Sequence, residues 1–482
     1  MEKGKKQLFC SFTAIIILAG VFLRLKLWIF NPGLHCDEAS LALNLFDTSF
    51  AGLFMPLIRL QVAPPLFLVL SKYFYRFVCL NYTPDFSDMM LRLIPLLSGA
   101  AAIPAFGYLL NLLFKNKWIN LAGMFLLALN SCAISYSCIF KQYSTEMLVT
   151  ILTLTLFAGL KFNQKYKFFL LGLMPCFSMT SFFLYPGCFL ALVLKYWNKK
   201  MELFKGFCVF LIPFLTFVLF FLIPVSKTHY SNMESYWSET FALASNLFIY
   251  LKLLFCLLFR VANPLIIYGI FIVSIFLMIY KKYQLVLYTV VPIFVTYLFT
   301  LTRHYPLSER FILFLLPVVL IILLYPLTFI TKKISAVIIG IIIMISGLRG
   351  ILPAEIVHLK QEYAKEAWEY LVQNYDGSSP VIMGEDFVTN LYYRTFYPEN
   401  INYYDEAFSG KKNSDKILSY LPEGVWYIIV SRYDDKYYSE FAEYLEKVEV
   451  LDYKTFELSS NLRAKSILEI DAPKSLVVKI RK

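Results

Sequence analysis

Apolar stretches long enough to cross a membrane as helices, about 20 residues each, dominate this chain. They run at 8–30, 91–114, 118–140, 146–161, 167–183, 184–197, 206–225, 264–280, 284–302, 310–330 and 334–352. The fourth to sixth are short. Only 16% of the 482 residues are charged, against about 25% in soluble domains. The expectation is an all-α polytopic membrane bundle of about eleven spans.

Lysine placement orients such a bundle, because short cytoplasmic loops are enriched in Lys and Arg. EKGKK near the N-terminus, KNK (115–117), KFNQKYK (161–167), KYWNKKMELFK (195–205), KKY (281–283) and TKK (331–333) fall on alternate loops. These are expected in the cytoplasm, with the N-terminus. Loops 31–90, 226–263 and 303–309, and the KQYSTE turn, are then outside. The formal net charge of +12 reads as this loop bias. No basic stripe interleaved with aromatics suggests a nucleic-acid partner. The first apolar run lacks a small-residue cleavage site and is expected to stay as a span. The nine cysteines sit mostly in apolar runs without CxxC spacing, so they read as small buried hydrophobes.

Within the outer loop, PLFLVLSKYFYRFVCL (65–80) carries Lys72 and Arg76 at helical spacing, as an amphipathic surface helix does. A true span is the competing reading, rejected because it would place the lysine-poor loops in the cytoplasm; residues 242–258 pose the same ambiguity. After about residue 355 the composition changes. EIVHLKQEYAKEAWEYLVQ, EDFVTNLYYRTF and KYYSEFAEYLEKV have helical periodicity, while PVIMG, GVWYIIVS and SLVVKIRK are β-rich. Residues 355–482 are expected to form an extracytoplasmic α/β domain behind a transmembrane domain of residues 1–354.

The charges are not spread evenly. Asp37 and Glu38 follow the first run, Arg92 opens the second, and Lys141 and Glu146 lie between the third and fourth. Arg303, His304, Glu309 and Arg310 precede the tenth. A transporter of lipid-linked sugars, or a flippase, remains an alternative, but ion-coupled transport calls for ionisable groups near mid-membrane. An enzyme acting on a lipid headgroup needs carboxylates and cations at headgroup depth, which is the pattern here.

HCDEASLALN (35–44), APPLFLVL (63–70), LRLIPLLSG (91–99), KQYSTEM (141–147) and SERFILFLLPVVLIILL (308–324) occur in one order. In that order the chain resembles the GT-C-type membrane glycosyltransferases, over about residues 8–350. Closest in pattern are the bacterial relatives of dolichyl-phosphate-mannose protein mannosyltransferases and the aminoarabinose transferases. Two positions depart from the pattern: Glu146 stands where Asp is common, and Ala63 where a polar residue often precedes Pro64-Pro65. The resemblance implies sugar transfer from a polyprenyl-phosphate carrier to a glycolipid, glycan or protein acceptor, at the outer face of the inner (plasma) membrane.

The residue types suit that reaction. An attacking hydroxyl needs a general base, for which Asp37 qualifies, with Glu38 and Glu146 as further acids. A leaving phosphate gains charge, which Arg92, Lys141, Arg310 and Arg24 would stabilise. His35, Tyr143 and His304 are candidate acceptor-side or loop residues. Asp37 and Glu146 together could hold a divalent cation through oxygens. Each residue also has a plainer reading. Asp37 suits a helix N-cap, Glu38 a first-turn dipole partner, Glu146 the start of a span, and the arginines headgroup anchors. Arg24 could snorkel to the interface.

The orientation is testable in a background lacking native cysteines. Lys412→Cys should label with an impermeant maleimide in intact cells or spheroplasts, and Asn198→Cys should not. The reverse pattern would place the acidic turn in the cytoplasm.

Overall fold

The computed structural model describes residues 2–31, 33–59, 61–78, 83–161, 164–228, 237–238, 241, 246–260, 264–329, 364–383, 387–397, 401, 423–433, 449–456 and 474–481. Two compact units emerge. The first comprises Met1–Ile29, Thr48–Tyr73 and Arg92–Val357, and the second Phe30–Asp47, Phe74–Leu91 and His358–Lys482.

In chain order the α-helices are α1 (Glu2–Phe30), α2 (Cys36–Asp47), α3 (Pro65–Val78), α4 (Pro84–Leu91), α5 (Leu93–Phe114), α6 (Lys117–Ala128), α7 (Ser131–Ser135), α8 (Tyr143–Ala158) and α9 (Lys165–Leu173). There follow α10 (Ser181–Lys195), α11 (Lys200–Phe217), α12 (Leu247–Phe259), α13 (Leu265–Lys281), α14 (Tyr283–Leu301), α15 (Glu309–Ile312), α16 (Leu316–Leu324), α17 (Ala364–Asn374) and α18 (Phe387–Arg394).

Among the described residues, five helices are long and apolar enough to cross a membrane: Phe9–Phe30, Pro84–Phe114, Trp197–Thr228, Tyr283–Leu301 and Glu309–Thr328. Lys117–Ala128 and Ser131–Cys138 form a sixth candidate, bent by 59° at a break. The apolar helices α8, α10, α12 and α13 are shorter than a straight span. This is a multi-pass membrane protein. The run at 334–352 lies outside the described residues. Helix α3 forms as its periodicity suggests, with Arg76 exposed. Lys72 does not lie on a surface; it is buried, donating to the Thr48 carbonyl.

Helices of the first unit approach closely where a glycine lies at the contact. In α10, a Cβ on Gly187 would come 2.0 Å from the Leu287 carbonyl oxygen of α14. In α9, one on Gly172 would come 2.2 Å from the Phe210 oxygen of α11. Such small-residue contacts are the usual way helices associate in lipid, where packing replaces the hydrophobic drive.

The second unit contains a four-stranded sheet of order β1-β2-β4-β3, formed by β1 (Val381–Met383), β2 (Val425–Tyr433), β3 (Glu449–Phe456) and β4 (Lys474–Arg481). The β1–β2 pair is parallel, with Ile382 opposite Ile428; β4 runs antiparallel to both β2 and β3. Helix α17 packs on β2 and β4 and against α18. Its Trp368 is buried, donates to Asn390 Oδ1 at 2.9 Å and stacks on Tyr397 at 5.8 Å. Strand β3 was not expected, whereas β1, β2, β4, α17 and α18 fall in segments read as strands and helices. The helical stretch KYYSEFAEYLEKV lies outside the described residues.

Adding a methyl at Gly187 should force α10 and α14 apart. Gly187→Ala is expected to cost about 1–3 kcal/mol and to lower the melting temperature in detergent by several degrees. Gly269, with nothing within 4 Å of its would-be Cβ, is the control: Gly269→Ala should leave stability unchanged or raise it.

Candidate functional site

The acidic turn at the start of α2 is built around His35, its N-cap. The first backbone N–H groups of a helix have no internal partner. Here the Asp37 N–H donates to His35 Nδ1 at 3.2 Å, and the His35 N–H donates to Glu38 Oε2 at 3.1 Å. This reciprocal arrangement is a capping box, with histidine in place of Ser or Thr. It requires the neutral His35 tautomer protonated on Nε2. Glu38 is buried and its carboxylate closes the cap. Asp37, the second helical residue, contributes its main chain to the cap while its half-buried carboxylate lies at the positive end of the helix dipole.

In the first unit, Glu146 is buried in the first turn of α8. Its neighbours form an aromatic cluster. Tyr143 meets Tyr136 edge-on at 5.4 Å and Phe311 edge-on at 6.0 Å, and Phe311 lies 5.8 Å from Tyr305. Burial, then the charge of Glu146, pushes the Tyr305 phenol well up from its usual pKa, so Tyr305 stays a donor, here to the Phe311 carbonyl at 2.7 Å. The Arg310 guanidinium lies over the Trp237 ring at 5.0 Å and over Phe311 at 5.3 Å. Glu146, Tyr143 and Arg310 are therefore joined through one aromatic cluster. Lys141 is buried and donates to Gln61 Oε1, while the Gln142 amide donates to the Val62 carbonyl at 3.4 Å. These bonds tie the KQYSTE turn to the segment before Pro64. Arg92 is buried at the α4–α5 junction. His304 is exposed and donates from Nδ1 to the Thr302 carbonyl at 2.6 Å.

An ion pair that sequence reading did not single out lies in the same unit. Arg260 Nε donates to Glu309 Oε1 at 2.6 Å, and the Cys132 thiol donates to the same oxygen at 2.7 Å. Asn130 caps α7 by accepting from Ala133 N and donates its amide to the Leu258 carbonyl at 2.9 Å. Arg260, at φ 48°, closes the end of α12. Glu309 was visible in SERF beside Arg310; its partner is 49 residues away, with no spacing to announce it. Among the described residues no group of three or more potential metal ligands occurs.

No family model matches this chain, and no curated protein does. Solved structures do. Crystal structures of ArnT from Cupriavidus metallidurans match over 99% of this chain and 98% of theirs. The form bound to undecaprenyl phosphate has a TM-score of 0.57 at 12% identity, and the apo form 0.52 at 11%. The chain has the fold of that membrane protein, the GT-C-type fold its motifs resemble.

Arg24, a candidate phosphate ligand, is fully buried in α1. It donates to the carbonyls of Gly20 at 2.9 Å and Ala128 at 3.0 Å, and to Ser137 Oγ at 3.2 Å. It therefore serves the end of α6, where the bent span breaks and carbonyls lack partners. Arg24→Leu should destabilise the fold by about 1–3 kcal/mol, seen as a lower melting temperature. An unchanged melting temperature would overturn this structural role.

Proposed function

We propose that this protein is a glycosyltransferase that moves a sugar from a polyprenyl-phosphate carrier to a hydroxyl acceptor at the outer face of the plasma membrane. The observation that carries this reading is the acidic turn. Asp37 is presented on a helix start made rigid by the His35–Glu38 cap, in a fold shared with a protein solved with undecaprenyl phosphate bound. The acceptor oxygen attacks the anomeric carbon while Asp37 takes its proton. The bond from that carbon to the phosphate oxygen breaks, and the lipid phosphate leaves with increased negative charge. Arg310, Lys141 and Arg92 are assigned to that charge, and Arg310 brings the bidentate geometry that suits phosphate. Glu146 and Tyr143 are assigned to acceptor placement beside the aromatic cluster. Glu38 and His35 support the turn, and Arg24 is left out because its donors serve the broken span. No step is assigned to a metal.

Asp37→Asn keeps the side chain's size and removes its basicity. Transfer from radiolabelled polyprenyl-phosphate sugars should fall by about a hundredfold or more, with expression and melting temperature preserved. Normal turnover in Asp37→Asn, together with unfolding in Asp37→Ala, would reduce Asp37 to a structural residue.

A further inference from the structure

The loop that delivers Asp37 is held by residues from the far end of the chain, within the second unit. Asp88 is the hub. Its fully buried carboxylate accepts the Tyr392 hydroxyl at 2.6 Å on one oxygen and the Tyr393 hydroxyl at 2.9 Å on the other. Tyr393 in turn accepts the Leu34 backbone N–H at 2.6 Å, three residues before Asp37. Burial and the neighbouring Asp88 charge push the Tyr392 phenol well up, so it remains a donor at physiological pH.

The start of the loop is held as well. Asn31 adopts φ 43°, a left-handed conformation that Asn tolerates better than most residues. The Lys365 ammonium donates to its carbonyl at 3.1 Å and to Asp85 Oδ1 at 2.6 Å, and the Asn31 amide donates to the Asp85 carbonyl at 2.8 Å. Between the two anchors, a Cβ on Gly33 would come 3.0 Å from the Tyr393 hydroxyl, so the loop passes close against α18. Further on, Phe46 of α2 stacks on Tyr392 at 5.8 Å.

We propose that Tyr393 and Lys365 are positioning residues: through the Leu34 amide and the Asn31 carbonyl, the C-terminal segment sets the geometry of the Asp37 turn. The inference rests on Asp37 being the base. A buried hydroxyl wedged between a backbone amide and a buried carboxylate has little freedom, because either partner left alone would be an unsatisfied buried polar group. A reacting base held this way keeps its attack geometry, and a displacement of about 1 Å can cost a hundredfold in rate. A helix alone could carry the acid, but a free loop of five residues before it would not hold the acid in place.

The test uses the full chain in detergent. Tyr393→Phe removes one hydroxyl and keeps the ring. It should lower kcat by about tenfold or more without raising KM for a radiolabelled polyprenyl-phosphate sugar, and lower the melting temperature by a few degrees, because the Leu34 amide and one Asp88 oxygen lose their partner. Hydrogen exchange in a peptide covering residues 33–40 should quicken. Lys365→Met should lower kcat likewise, and Lys365→Arg, which keeps the charge and donors, should restore most of it. Asp37→Asn runs in parallel. If Asp37→Asn is inactive while Tyr393→Phe and Lys365→Met turn over normally with unchanged exchange, the positioning role is wrong and the base assignment stands. If Asp37→Asn turns over normally, the base assignment fails and this inference fails with it. Should Tyr393→Phe not fold, the Lys365 pair decides: equal loss in Met and Arg variants overturns the proposal, and rescue by Arg supports it.

Discussion

A carbonyl oxygen inside an apolar bundle has no water to turn to, and leaving it unpaired costs several kcal/mol. Much of this chain's polar side-chain placement answers that constraint. At the α6–α7 break, Arg24 bonds the carbonyls of one side and Asn130 caps the amides of the other. At the end of α12, the Asn130 amide donates to the Leu258 carbonyl. The Tyr185 hydroxyl serves the last turn of α9 at Leu171. Along α14, Thr289, Thr296 and Thr300 each donate to the carbonyl four residues back, so the helix satisfies these buried hydroxyls with its own backbone. Breaks and short helices are tolerated because donors are supplied where the ladder stops.

The same constraint explains what the sequence reveals. Apolar length marks helices well, because hydrocarbon permits little else. It marks spans less well, since α8, α10, α12 and α13 are apolar yet short, and a break such as that after Ala128 leaves no gap in hydropathy. Arg24 carries the same letter whether it snorkels, binds phosphate or satisfies carbonyls; only its partners at positions 127, 128 and 137 distinguish these, and they lie more than 100 residues away. In the tail, VWYIIVS and SLVVKIRK show β-rich runs, whereas EVLDYKTF mixes Glu449, Asp452 and Lys454 into an edge strand. Edge strands are often charged in this way to discourage further pairing, and the charge hides them from pattern reading.

In the candidate site, residue chemistry was more legible than geometry. The adjacent acids after the first span are evident, yet that Glu38 and not Asp37 closes the cap depends on His35, whose ring stands in for a hydroxyl at the helix start. A capping reading is written for Ser, Thr, Asp or Asn, so histidine at that position conceals it. The aromatic cluster around Glu146 and Arg310 gathers residues from separate segments; Tyr143 and Phe311 stood within motifs, whereas Tyr136, Trp237 and Tyr305 did not. Asp88, Tyr392, Tyr393 and Lys365 had no local signature, since their meaning lies in each other.

The Leu34–Tyr393 bond joins residues 359 apart. Ribosomes add about 5–20 residues per second, so the amide of Leu34 waits on the order of tens of seconds for its acceptor to be made. During that interval the acid-bearing turn lacks the contact that fixes its backbone. Membrane insertion of the first helices and completion of this turn are thus separated in time, and a chain cut short before α18 lacks the partner of its Leu34 amide.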